Sequence, residues 1–136
     1  MQRLKTRAQF QEVLAGTIVA KTRHFALHCN KMAIEAASQQ AEKPGGFSVL
    51  FCKRDVWMGA MVPKRWAKRA VTRNAIKRQI YTVSAEFSRL YPQAAFVVRL
   101  RASFPKAEFP SAVSEQLKLT VRTEVQALMR AGVNAV

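Results

Sequence analysis

Acidic residues are scarce in this sequence: 8 Asp and Glu stand against 23 Lys and Arg, a formal net charge of +15 over 136 residues. Between Asp55 and Glu86 there is none at all. No paired carboxylates occur at metal-binding spacing and no His/Cys cluster occurs, so a protein-held metal site for hydrolysis is not expected. The two cysteines, Cys29 and Cys52, make neither a disulfide framework nor a metal motif, and their apolar, strand-like surroundings make them small buried residues. The two histidines, His24 and His28, lie four residues apart on one expected strand, which does not make a catalytic pair; His24 reads as an exposed phosphate donor. No apolar run is long enough to cross a bilayer. The opening Met1-Gln2-Arg3-Leu4-Lys5 is not a signal-peptide core, so the expected location is cytoplasmic, with no membrane partner.

What is present suffices for one folded domain, residues 1–136, since 49% of the residues are hydrophobic. Thr6-Arg7-Ala8-Gln9 has the form of a capping box, and Phe10, Val13 and Leu14 follow at helical spacing before Gly16. Thr17 to Cys29 reads as a strand. Asn30 to Gly46 reads as a loop, with an insertion over 32–46. Phe47–Cys52 and Val56–Val62, joined by Lys53-Arg54-Asp55, read as a β-hairpin stopped by Pro63. A long helix is expected from about Trp66 to Leu90, with Ile76, Ile80, Val83, Phe87 and Leu90 as one apolar stripe. Ala94–Leu100 is a fourth strand. A last helix from about Ser111 to Ala131 carries Val113, Leu117, Val121, Val125 and Leu128, with Gly132 at its end. The order α-β-β-β-α-β-α defines an α+β sandwich.

The cations are clustered. Lys64, Arg65, Lys68, Arg69, Arg73, Lys77 and Arg78 fall on the lead-in and first half of the long helix. At about 100° per residue, Arg69, Arg73 and Lys77 lie nearly in line, with Asn74 and Arg78 beside them, roughly opposite the apolar stripe. Like charges at i,i+4 oppose helix formation by a few tenths of a kcal/mol per pair. A merely solvated face would mix both signs. The arrangement therefore points to phosphates: Arg offers a planar fork, Lys a point charge, and Asn74 both a donor and an acceptor.

The run Arg73-Asn74-Ala75-Ile76-Lys77-Arg78 resembles the Arg-Asn-x-x-Lys-Arg core of the bacterial ribonuclease P protein family. Gly59-Ala60-Met61-Val62-Pro63-Lys64-Arg65 before it, Leu4-Lys5 with Phe10-Gln11-Glu12-Val13-Leu14, and Phe25-Ala26-Leu27-His28 match that family in order and spacing, over about residues 3–101. Three positions depart from the pattern. Tyr81 stands where a further Arg is usual, Leu14 where an aromatic is common, and His28 where a Tyr is common.

The resemblance implies a fold like domain 2 of ribosomal protein S5, with a left-handed βαβ crossover. It implies an accessory subunit of an endoribonuclease that removes the 5′ leader of precursor tRNA and leaves 5′-phosphate ends on the mature tRNA. The catalytic RNA and precursor tRNA would be the partners, with no obligate protein partner. Mg²⁺ would be held mainly by the RNA and substrate, and no protein side chain would be catalytic. On this view Lys64, Arg65, Lys68, Arg69, Arg73, Asn74, Lys77, Arg78 and Tyr81 face the RNA, and Phe10, Leu14 and His28 line a cleft for the single-stranded leader. The same charges would also serve a ribosomal protein or a general RNA chaperone with no part in cleavage.

Overall fold

The computed structural model describes residues 1–31, 55–104 and 114–136. Their elements run β1 (Gln2–Arg3), α1 (Arg7–Leu14), β2 (Thr17–Lys21), β3 (Phe25–Asn30), β4 (Trp57–Met61), α2 (Ala70–Phe87), a 3₁₀ turn (Ser88–Leu90), β5 (Ala95–Leu100) and α3 (Glu115–Ala135). The strands form one sheet in the order β1-β4-β5-β3-β2. β5 runs parallel to β4 and antiparallel to β3. α2 is the crossover between the parallel pair, as two parallel neighbours require. β5 is central and covered on both faces, which is why Ala95-Phe96-Val97-Val98 is apolar without alternation.

Each face of the sheet has its own core. On one, Phe25, Leu27, Met58, Ala60, Phe96 and Val98 pack against Ile76, Ile80 and Val83 of α2 and Leu117, Val121, Val125 and Leu128 of α3. On the other, α1 closes a smaller core of Leu4, Val13, Trp57, Ala95 and Val97. The Thr6 capping box is formed: Thr6 Oγ1 accepts the Gln9 amide at 3.2 Å, and Gln9 Oε1 accepts the Thr6 amide at 3.1 Å. Gly16 follows because α1 must pass close to β3. A Cβ there would stand 2.2 Å from the Cys29 carbonyl oxygen.

Several sequence expectations change. Thr17–Cys29 is not one strand but two, β2 and β3, paired antiparallel. The turn between them, Thr22-Arg23-His24, has no Gly, Pro or Asn to mark it, and it closes through the Thr22 amide on the Phe25 carbonyl at 2.9 Å. A further short strand, β1, pairs parallel with Trp57 and Met58. α2 starts at Ala70 rather than Trp66, since Arg69 is extended (φ −86°, ψ 134°). It gives way after Phe87 to the 3₁₀ turn, so Leu90 leaves the stripe and is 62% exposed.

α3 starts at Glu115, where Ser114 Oγ accepts the Leu117 amide at 3.0 Å, and continues through Gly132 to Ala135. Gly132 is a packing position, not a stop: a Cβ there would lie 2.3 Å from the Tyr91 hydroxyl and 2.5 Å from Leu27 Cδ2. Phe47–Cys52, the loop over 32–46, Ser111 and Val113 lie outside the described residues.

Candidate nucleic-acid interface

Ile76 and Ile80 bury one side of α2, and the helical period turns Asn74 and Arg78 outward. Lys64, Arg65, Lys68, Arg69, Asn74 and Arg78 are exposed, while Arg73 and Lys77 are half-buried. The ion pairs among the described residues are Met1–Asp55, Lys118–Glu115 and Arg122–Glu86, His24 sits against Glu124, and none of these acids engages a cation of this ridge. The first turn of α2 also carries no acid. Its positive macrodipole end therefore adds to the side-chain charge rather than being offset by it.

Two ridge residues have local partners. The Arg65 guanidinium lies 5.2 Å from the Trp66 ring centroid. Arg73 Nη1 donates to the carbonyls of Ala67 (3.1 Å) and Lys68 (2.8 Å). Tyr81 is half-buried between α2 and the sheet. Its hydroxyl accepts the Ala60 amide at 3.2 Å, and the Arg3 guanidinium covers its ring at 4.2 Å. Arg3 thus brings a cation beside the position where one is missing from the helix.

The second candidate surface is the α1 face of the sheet. Strand register places Lys21, Ala26, Arg99 and Met61 in one row and Ile18, His28, Val97 and Gly59 in the next. Phe10, Leu14 and Met61 are half-buried at the margin of the smaller core. Phe10 lies directly over Gly59, where a Cβ would fall 2.6 Å from its Cε1. A glycine is needed at this point so that α1 can approach β4.

His28 is buried, and its Nε2 accepts from Arg99 Nε at 3.1 Å. A guanidinium can only donate, so the neutral ring carries its proton on Nδ1. That atom has no hydrogen-bond partner among the described residues. Burial pushes the His28 pKa below its ordinary value, and the nearby Arg99 and Lys21 charges push it further the same way. Lys21 and Arg99 belong to this face, yet sequence reading passed over them. They sit 78 residues apart in the chain, and only the register β2-β3-β5 aligns them.

His24 contradicts its expected role as an exposed phosphate donor. It is buried in the turn before β3, with Nδ1 2.8 Å from Glu124 Oε1 and its ring stacked on Phe104 at 4.1 Å. Glu124 Oε2 also accepts the Thr22 hydroxyl and the His24 amide, both at 3.1 Å. The cluster ties α3 to the β2–β3 turn and is structural.

Fold and surface together define a small α+β domain with a basic sheet face behind one helix and, on another, a cationic ridge that meets no carboxylate among the described residues. The sequence model of the family described as Ribonuclease P matches residues 1–124. The chain belongs to the ribonuclease P protein-component family. A ribonuclease P protein component from Ralstonia pickettii (strain 12J) is 28% identical over 109 residues, 80% of this chain and 64% of that protein. One from Burkholderia pseudomallei (strain 1106a) is 36% identical over 80 residues, 56% of each. The matches therefore span less than two thirds of these relatives' own lengths. The RNase P protein from Staphylococcus aureus has a similar fold (TM-score 0.63, 18% identity, 96% of this chain and 94% of that one). The protein from Thermotoga maritima is similar as well (TM-score 0.58, 19% identity, 96% and 97%).

Proposed function

We propose that this chain is the protein subunit of ribonuclease P, binding the catalytic RNA through the α2 ridge and the 5′ leader of precursor tRNA on the α1 face of the sheet. The observation that carries the reading is the unpaired ridge: Lys64, Arg65, Lys68, Arg69, Lys77 and Arg78 face no carboxylate among the described residues, on a chain of this family. The ridge supplies sequence-independent attraction to phosphates. The sheet face, with Phe10 and Leu14 at its margin and Lys21 and Arg99 in its outer row, suits an extended strand of varied sequence. Apolar surface stacks on any base and cations track the backbone.

The protein's contribution is affinity, orientation and charge neutralisation. The described residues offer Mg²⁺ no ready site. Among the described residues no group of three His, Cys, Asp or Glu comes together, and Asp55 is taken up by Gln2, the Val56 amide and the Met1 ammonium. On this reading metal-ion chemistry belongs mainly to the RNA and the substrate, as the family resemblance implies. Among the described residues no helix is long and apolar enough to cross a membrane.

Reconstitution tests the proposal. The chain should restore leader removal by ribonuclease P RNA at a Mg²⁺ concentration where the RNA alone is slow. Failure to do so, with RNA binding intact, would favour a ribosomal or chaperone role instead. If about five phosphates are neutralised, log K against log salt should have a slope of roughly −3.5 to −4.5.

A further inference from the structure

Four of the ridge cations do not stand on the helix. Lys64, Arg65, Lys68 and Arg69 belong to the segment between β4 and α2, which has no ladder of its own. Unsupported, such a segment would lose backbone entropy on ordering and its like charges would splay it apart. It is nevertheless built. The Pro63 carbonyl accepts the amides of both Trp66 (3.1 Å) and Ala67 (3.2 Å), and Ala67 is buried in the larger core. Arg69, at the helix start, makes no side-chain cap. The carbonyls of Ala67 and Lys68, between strand and helix, are both met by Arg73 Nη1, at 3.1 and 2.8 Å.

We infer that Arg73 is a positioning residue: its guanidinium fastens the Ala67–Lys68 backbone and thereby fixes where Lys64, Arg65, Lys68 and Arg69 present their charges. Arg73 lies in the middle of the cationic line, and sequence alone makes it one more phosphate contact. The structure instead turns one guanidinium nitrogen, Nη1, onto its own backbone. A cation in the first turns of a helix is opposed by the macrodipole. The two carbonyls compensate that here. Lysine would be a poorer clamp, because its ammonium is a strongly hydrated point charge on a flexible stem.

The inference rests on the reading of the ridge as an RNA surface, but its first test needs no RNA. In the free protein, Arg73→Ala should speed hydrogen exchange of the Trp66 and Ala67 amides about tenfold, the loss of a charge-assisted hydrogen bond. The Ile80 amide, deeper in α2, should be unchanged, as should both turn amides in Lys77→Ala. Unchanged exchange at Trp66 and Ala67 would overturn the clamp whatever the chain binds. Should Arg73→Ala fold poorly, Arg73→Lys keeps the charge and should still accelerate the two turn amides several-fold.

The second arm is a double-mutant cycle read as affinity for ribonuclease P RNA. Arg73→Ala should cost about tenfold in the wild-type background and under about twofold once Lys64, Arg65, Lys68 and Arg69 are all alanine. Equal costs in the two backgrounds would make Arg73 a direct phosphate contact and overturn the positioning role. Wild-type protein that fails to bind the RNA, with the exchange result intact, would instead sink the functional reading and leave the clamp standing.

Discussion

The Tyr81 hydroxyl accepts the backbone amide of Ala60 across 3.2 Å, joining α2 to the edge of β4. β1 pairs with β4 only at Trp57 and Met58, so beyond them the phenol does what a neighbouring strand would have done. The ring is also the platform for Arg3, 4.2 Å away. Tyr81→Phe should keep the platform and lose the acceptor, lowering stability by about 1 kcal/mol in chemical denaturation. Tyr81→Arg, which restores the family's usual cation, should lose both and still steepen the salt dependence of RNA binding by at most about 0.9 in slope. Full stability in Tyr81→Phe would mean that the Ala60 amide is satisfied by solvent.

The Lys77 and Arg78 side chains form no hydrogen bond or ion pair among the described residues, and neither belongs to a core. The double variant Lys77→Ala/Arg78→Ala should therefore unfold within about 0.5 kcal/mol of wild type. Its RNA affinity should drop and its salt slope flatten by roughly 1.4 to 1.8, two phosphates' worth of released counterions. A slope identical to wild type would remove these two residues from the interface.

Gly59 gives α1 its seat. A methyl group there would meet Phe10 Cε1 at 2.6 Å and Leu4 Cδ1 at 2.8 Å. Gly59→Ala should cost about 1–3 kcal/mol through overpacking, and by lifting α1 it should weaken leader binding more than binding of a leaderless tRNA. Equal losses for the two substrates would separate α1 from leader recognition.

His28 makes stability depend on pH with a definite sign. Its folded pKa lies below the ordinary 6.5, because burial and the cations Arg99 and Lys21 disfavour the imidazolium. The unfolded chain thus takes up its proton first as pH falls. The stability held by the neutral ring is complete above pH 6.5 and declines below it, down to the folded pKa. Wild type should lose more stability than His28→Gln between pH 7.5 and about 5.5. Parallel pH profiles for the two proteins would contradict the assignment.

What was legible in the sequence was local. The Thr6 capping box spans four residues, and the Ile76, Ile80 and Val83 stripe recurs within helical turns. The basic run needs only its neighbours to be recognised as unusual. Each forms as read because the interaction that decides it is closed within a few residues. The β2–β3 turn was missed for a related reason: it is made by backbone and the Thr22 side chain, with no residue type that announces a turn.

The amino-acid order by itself determined that the chain would fold as an α+β domain, that its charge would be overwhelmingly positive, and that the charge would concentrate on one helix and its lead-in. Tertiary structure alone decided which histidine would meet Glu124, 100 residues away, and that Lys21 and Arg99 would share a row. It decided that Gly132 would receive Tyr91 instead of ending a helix, and that Arg73 would face its own backbone. These outcomes depend on strand register and helix docking, which bring distant segments within a few ångströms. Such contacts are fixed by packing the whole core at once, and no short window of sequence contains them.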